Sequence, residues 1–144
     1  MDKDLKRMII LENYQNPKNK QIPTEEGYVK INSNNVSCID NLDIYVKTEN
    51  DIIKDIKYEG EACVICISST SIITNLLIGK TIAEAKEILE NYHNMIEEKP
   101  YNKDTLKDAI VYDDIYKQPS RKTCATLATR GLSKLLNETD EKIK

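Results

Sequence analysis

The fold is decided by residues 28–58, YVKINSNNVSCIDNLDIYVKTENDIIKDIKY, in which apolar and polar residues alternate along three runs. A period of two is typical of a strand that buries one face. The Glu49-Asn50-Asp51 group separates the last two runs, as a hairpin turn would. The stretch therefore predicts a three-stranded antiparallel meander with apolar positions at Val29, Ile31, Leu42, Ile44, Val46, Ile56 and Tyr58.

A short helix is expected before this stretch, over residues 4–14. Asn16-Pro17 ends it, because a residue that precedes proline is disfavoured in the helical region. Its spacing is amphipathic, with apolar side chains at Leu5, Met8, Ile9 and Leu11.

The pattern becomes helical after the stretch and remains so. The apolar run 67–78 predicts a buried helix with Gly79 at its C-terminus. Thr81 and Glu84 match a capping box that opens the next helix. A shorter helix is expected over residues 104–110, and a last one from Pro119-Ser120, with an inward stripe of Cys124, Leu127, Ala128, Gly131 and Leu135. Strands followed by helices predict the α+β class, with helices packed on a three-stranded antiparallel sheet.

Length and charge narrow the classes of function. A chain of 144 residues fits a single domain, 1–144. The formal net charge of −3 argues against a nucleic-acid partner, which needs a clustered basic face. No apolar run approaches the roughly 20 residues of a membrane span. The N-terminal sequence lacks the apolar segment of a signal peptide, so a cytoplasmic location is expected.

Three of the four cysteines lie where a turn, a loop and a helix start can converge. Cys38 and Asp40 enter the turn after the first strand, Cys63 precedes the buried helix, and Cys124 lies near the start of the last helix. Three thiolates and one carboxylate suit tetrahedral Zn²⁺ or a cluster with thiolate ligands. The alternative is that these cysteines are small buried apolar residues, and spacing alone favours it by roughly two to one.

Two further features look less informative. Cys63 and Cys66 form a CxxC pair, but the parallel crossover of a thioredoxin-like unit is absent, so Cys66 is interpreted as a core residue of the helix. His93, the single histidine, is interpreted as a surface residue on a solvated helix face.

Four motifs in order resemble the SufU type of IscU-like iron–sulfur cluster assembly proteins. They are Asn16-Pro17-Lys18-Asn19, then Cys38-x-Asp40, then Gly60-Glu61-Ala62-Cys63 with Ser68, Ser69 and Ser71, and lastly 119–127, PSRKTCATL. The long interval between Cys63 and Cys124 and the Thr123 that replaces a histidine favour SufU over IscU proper. The resemblance spans residues 5–136 and implies a SufE/IscU-like fold.

The resemblance also implies a function. Cys38, Asp40, Cys63 and Cys124 would hold one Zn²⁺, and Cys38 would accept persulfide sulfur from a cysteine desulfurase of the SufS type. The desulfurase would displace that cysteine by offering its own histidine to the zinc. Arg121 matches a family arginine whose charge would stabilise the thiolates without binding the metal. The chain would thus be a sulfurtransferase that acts with the desulfurase.

Two other hypotheses remain open. The same ligands suit a scaffold that assembles a [2Fe–2S] cluster and passes it to downstream apo iron–sulfur proteins. Ile39 and Ala62 replace glycines usual in the family, and a β-branched residue is strained at positive φ. If the site needs that conformation, the chain would be a divergent interaction module without a metal.

Overall fold

The structure, a computed structural model, describes residues 1–35 and 39–143. Its regular elements are, in chain order, α1 (Lys3–Gln15), β1 (Val29–Asn34), β2 (Asn41–Glu49), β3 (Ile52–Glu61), α2 (Val64–Leu77), α3 (Ile82–Ile96) and α4 (Pro119–Ile143). Between α3 and α4 the chain forms short 3₁₀ helices at Lys103–Thr105, Lys107–Tyr112 and Ile115–Lys117.

The sheet is the predicted antiparallel meander, in the order β1-β2-β3. Asn50 and Asp51 both have positive φ, at 53° and 63°, as a tight two-residue hairpin turn requires. The inward side chains of the two longer strands are fully or almost fully buried, whereas Val29 on the edge strand is 53% exposed. The α+β prediction is therefore confirmed, with the helices packed on one sheet face.

Helix α2 is the centre of the fold, packing against α1, α4 and β3. Ten of its side chains are buried, among them the hydroxyls of Ser68, Ser69, Thr70, Ser71 and Thr74. Several of these hydroxyls donate to carbonyls one turn back, which lets a polar side chain lie inside the core. Gly79 follows the helix with φ 88°, as predicted.

The Asn-Pro segment after α1 is fastened to α2 by side-chain hydrogen bonds. The Lys18 N–H donates to Ser71 Oγ over 2.8 Å, and that hydroxyl donates to Asn13 Oδ1 over 2.7 Å. The predicted apolar stripe of α1 is only partly correct, because Leu5, Met8 and Leu11 are 42–66% exposed. The residues of α1 that pack against the core are Ile9 and Ile10.

Helix α4 lies close to the edge strand β1. Gly131 brings the two backbones together, since a Cβ there would meet Ser33 Cβ at 3.2 Å. Ser33 Oγ donates to the Leu127 carbonyl over 2.7 Å. This contact fixes the inward face of α4, on which the predicted stripe Cys124, Leu127, Ala128, Gly131 and Leu135 is buried.

Two local predictions were wrong. The helix expected over 104–110 is replaced by two 3₁₀ helices, and the second begins at Lys107, which has φ 47°. His93 does not lie on a solvated face: it is part-buried between α3 and α4, where its Nε2 is 2.8 Å from Thr129 Oγ1. In the described part of the chain, every helix is too short or too polar to cross a bilayer.

Candidate metal centre

Three elements deliver three predicted ligand residues to one point. Asp40 immediately precedes β2, Cys63 is the residue that caps the N-terminus of α2, and Cys124 lies in the second turn of α4. One carboxylate oxygen of Asp40 and the Sγ atoms of Cys63 and Cys124 all lie within 4.8 Å of one another. The fourth predicted ligand, Cys38, lies outside the described residues.

Gly60 brings the loop that carries Cys63 up to Asp40. It pairs with Leu42 and has φ 140°, and an added Cβ would lie 2.1 Å from the Asn41 carbonyl oxygen. Only glycine therefore lets β3 pass so close to the start of β2. Sequence reasoning noted Gly60 within a motif but missed this role; a glycine inside a strand was the available signal.

Asp40 is oriented by the backbone of α2's first residues. Its Oδ1 accepts the Cys63 N–H over 2.8 Å, and its Oδ2 is 3.7 Å from Cys63 Sγ. The carboxylate is 1% exposed, so this charge has been withdrawn from water at a fixed position. Such burial is costly unless a cation or strong donors compensate it.

Cys124 is a thiol whose surroundings oppose ionisation. Burial, followed by the nearby Cys63 and Asp40, raises the pKa of Cys124 to about 12. A divalent cation reverses that preference, because it stabilises the thiolates and the carboxylate together. Two sulfurs and a carboxylate oxygen at mutual distances below 4.8 Å fit a tetrahedral zinc site with one further ligand.

Cys66 is not a member of this three-residue cluster. It lies one turn into α2 with its side chain fully buried, as the core interpretation predicted. Cys63, Cys66 and Cys124 are all free thiols. Arg121 lies on the exposed side of α4, and among the described residues its guanidinium has no ion pair or hydrogen bond, so its predicted role stays a prediction.

The two replaced glycines do not prevent the three side chains from meeting. Ala62 is not among the described residues with positive φ, so this position has no need of glycine. Ile39 is 68% exposed and Val64 is 37% exposed. Both apolar side chains lie next to predicted ligand residues in the sequence.

The comparisons with known proteins agree with this geometry. The family model described as NifU-like N terminal domain matches residues 6–125. The chain is 33% identical over 131 residues to the zinc-dependent sulfurtransferase SufU of Bacillus subtilis, covering 90% of this chain and 88% of that protein. It is 30% identical over 125 residues to the iron–sulfur cluster assembly scaffold protein IscU of Thermotoga maritima, covering 87% and 88% of the two chains.

A solved structure of a related protein has the same fold. It is that of a candidate iron–sulfur cluster assembly scaffold protein for the SUF system from Fervidobacterium islandicum. The two structures superpose with a TM-score of 0.80 at 30% identity, over 88% of this chain and 95% of that one. Family, relatives and fold agree, and the chain belongs to the NifU-like N-terminal domain family, as an iron–sulfur cluster assembly protein of the SufU/IscU type.

Proposed function

We propose that this protein, acting as a single domain over residues 1–144, is a zinc-dependent sulfur acceptor in the cytoplasm. It takes persulfide sulfur from a cysteine desulfurase of the SufS type for iron–sulfur cluster assembly. The observation that carries the proposal is the convergence of Asp40, Cys63 and Cys124 within 4.8 Å. The name of the Bacillus subtilis relative supports it.

Zinc, when bound, would keep the cysteine ligands deprotonated and protected from oxidation. The chain itself would supply the four ligands. Asp40, fixed by the Cys63 N–H, would be the oxygen ligand, and Cys63 and Cys124 would be the sulfur ligands. Cys38 would be the fourth ligand and the thiolate that becomes available for the transfer step when the desulfurase docks.

The transfer step needs one nucleophile. The Cys38 thiolate attacks the terminal sulfur of the desulfurase persulfide, forms a new S–S bond, and leaves the desulfurase cysteine as a thiolate. Arg121, exposed two residues into α4, is close in sequence to Cys124 and would stabilise the thiolates electrostatically. The exposed Ile39 and Val64 give the partner an apolar surface beside the ligands.

Two measurements test the proposal. The protein purified without oxygen should hold about one zinc per chain, and a Cys38→Ser variant much less. Adding the zinc-loaded protein to a SufS-type desulfurase should raise the rate of alanine formation from cysteine, and Cys38→Ser should not. A zinc-loaded protein that leaves the rate unchanged would overturn the proposal.

A scaffold function is the second candidate, supported by the similarity to IscU of Thermotoga maritima. Here the same residues would hold a [2Fe–2S] cluster as cargo for downstream apo iron–sulfur proteins. Anaerobic reconstitution should then give a stable brown protein that transfers its cluster to an apo acceptor. A colourless product would remove this candidate.

The third hypothesis, an interaction module without a metal, requires that the chain binds neither zinc nor iron. The convergence of Asp40, Cys63 and Cys124 argues against it.

A further inference from the structure

One member of the CxxC pair, Cys66, has no part in the function described so far. Cys66 is outside the ligand cluster, yet it lies three residues after Cys63 in the first turn of α2. The Ile67 N–H donates to the Cys63 carbonyl over 2.9 Å, so the first turn of the helix is closed at Cys63. Side chains three residues apart lie on the same helix face with Cβ atoms about 5–6 Å apart. A small adjustment would bring them to the roughly 4 Å that a disulfide needs.

The local backbone suits such a pair. Cys63 occupies the N-cap position in extended conformation, with φ −71° and ψ 171°, and its side chain makes no capping hydrogen bond. Its sulfur lies 3.7 Å from Asp40 Oδ2 and within 4.8 Å of Cys124 Sγ, so it must turn away from these groups to meet Cys66. The strand β3 ends two residues earlier, so a strand leads directly into this helix start.

The surroundings of Cys66 connect it to the site and seal it from solvent. Its side chain is 0% exposed, and burial, then Asp40 and Cys63, raises the pKa of the Cys66 thiol. The buried Tyr58 hydroxyl has no partner with hydrogen-bond geometry among the described residues, and Cys66 is one of the groups that raise its pKa. A thiol in this position is protected from oxidants in solution.

We propose that Cys66 is a resolving thiol that releases sulfide from a persulfide carried on Cys63. The inference rests on the proposed function for the origin of that sulfur: the Cys63 thiolate takes the terminal sulfur of the Cys38 persulfide, and Cys38 leaves as a thiolate. Cys66 Sγ attacks Cys63 Sγ, the Cys63–Cys66 disulfide forms, and the bond to the terminal sulfur breaks. The electron pair leaves with the terminal sulfur, which takes the Cys66 proton and departs as hydrogen sulfide. The sulfane sulfur is reduced to sulfide, the two cysteines are oxidised to the disulfide, and a dithiol reductant restores them.

The step gives the chain a second way to use sulfur. Because the reductant is part of the chain, sulfide is formed where Asp40, Cys63 and Cys124 meet, without a separate electron donor for the first turnover. Disulfide formation also removes Cys63 from the ligand set, so sulfide release and metal retention on Cys63 exclude each other.

The test loads the full-length chain, freed of metal by a chelator, with inorganic polysulfide and measures hydrogen sulfide after excess donor is removed. The wild type should release about one sulfide per chain, and Cys66→Ser and Cys66→Ala should slow release at least about tenfold, because they lose an intramolecular nucleophile. Circular dichroism of both variants checks that they fold. A rate of release equal to that of the wild type in either folded variant would overturn the inference.

A second readout needs no variant. Cys63 and Cys66 share the tryptic peptide 58–80, which contains no internal lysine or arginine. After acid quenching and alkylation, the wild-type peptide should be lighter by two hydrogens and should carry no alkyl group. A peptide that keeps the added sulfur on Cys63 beside an alkylated Cys66 would contradict the proposal.

The polysulfide arm separates this inference from the proposed function. If a desulfurase with cysteine does not load the chain but polysulfide-loaded chain still releases sulfide through Cys66, the proposed function fails and the inference stands. If the desulfurase loads a persulfide that persists equally in the wild type and in Cys66→Ser, the inference fails and the proposed function stands.

Discussion

Helices α2 and α3 begin in opposite ways. Thr81 opens α3 with a reciprocal capping box, in which its Oγ1 accepts the Glu84 N–H and its own N–H donates to Glu84, each over 3.1 Å. Cys63 opens α2 without any side-chain capping bond. At Cys63 the sulfur lies beside the Asp40 carboxylate and the Cys124 thiol instead. One helix start is therefore stabilised by its cap, and the other gives up a cap for the side chain that the proposed function uses.

The largest effect is expected for Cys63→Ser, which should lower the affinity for zinc without lowering the stability of the metal-free chain. Cys63→Ser removes a sulfur ligand, so zinc affinity should fall at least about a hundredfold, more than the loss of an indirect partner costs. Serine is a good N-cap, so the metal-free chain should unfold no more easily and gain up to about 1 kcal/mol. Zinc titration and urea unfolding measure the two quantities. A metal-free variant clearly less stable than the wild type would contradict the comparison.

The glycines before and after α2, Gly60 and Gly79, should differ next. Gly60→Ala places a Cβ 2.1 Å from the Asn41 carbonyl oxygen at φ 140°, so we expect a loss of about 3 kcal/mol or more in unfolding free energy. Gly79→Ala, at φ 88° with nothing within 4 Å of the added atom, should cost about 1 kcal/mol from backbone strain alone. Urea unfolding of both variants checks this. Equal losses would show that the close approach at Gly60 does not matter.

Removing the N-cap of α3 should have a smaller effect, and only on the free energy of unfolding. Thr81→Ala removes the hydroxyl that accepts the Glu84 N–H and should lower the unfolding free energy by about 1 kcal/mol. Zinc content should stay the same, because α3 contributes no residue to the ligand cluster. A change in zinc affinity would mean that the two helix starts are coupled.

The smallest effect is a dependence of stability on pH that arises in α3. Burial, then Arg130, lowers the pKa of His93 below its ordinary 6.5, and Glu97 opposes this. Below pH 6.5 the unfolded chain therefore binds a proton more readily than the folded one. The free energy of unfolding thus decreases as the pH is lowered, until the folded pKa is reached. The His93→Gln variant should lack this part of the pH dependence. Unfolding titrations of the zinc-free protein between pH 7 and pH 5 measure it. Identical pH profiles would show that His93 titrates alike in both states.

Features that depend on neighbouring residues could be predicted from the sequence. The Asn50-Asp51 turn, the Thr81–Glu84 capping box and the start of α4 at Pro119 are local, because turn and cap chemistry involve residues a few positions apart. The 3₁₀ series was missed because one residue, Lys107 with φ 47°, interrupts a pattern that looks helical.

Features that depend on packing between distant elements could not be predicted. His93 looked solvated because its neighbours along α3 are polar, but Thr129 on α4 covers it. The exposed side of α1 was misjudged for the same reason, since the spacing of Leu5, Met8 and Leu11 does not say which face meets α2.

By itself the sequence determined the order of strands and helices, the family resemblance and the candidate metal ligands. Tertiary structure alone decided that Asp40, Cys63 and Cys124 meet, because their distances depend on how β2, α2 and α4 pack. It also decided that Gly60 must lack a side chain and that Cys66 lies sealed beside the site. Local preferences are set by neighbours in the chain, whereas a site is set by contacts between residues far apart in it.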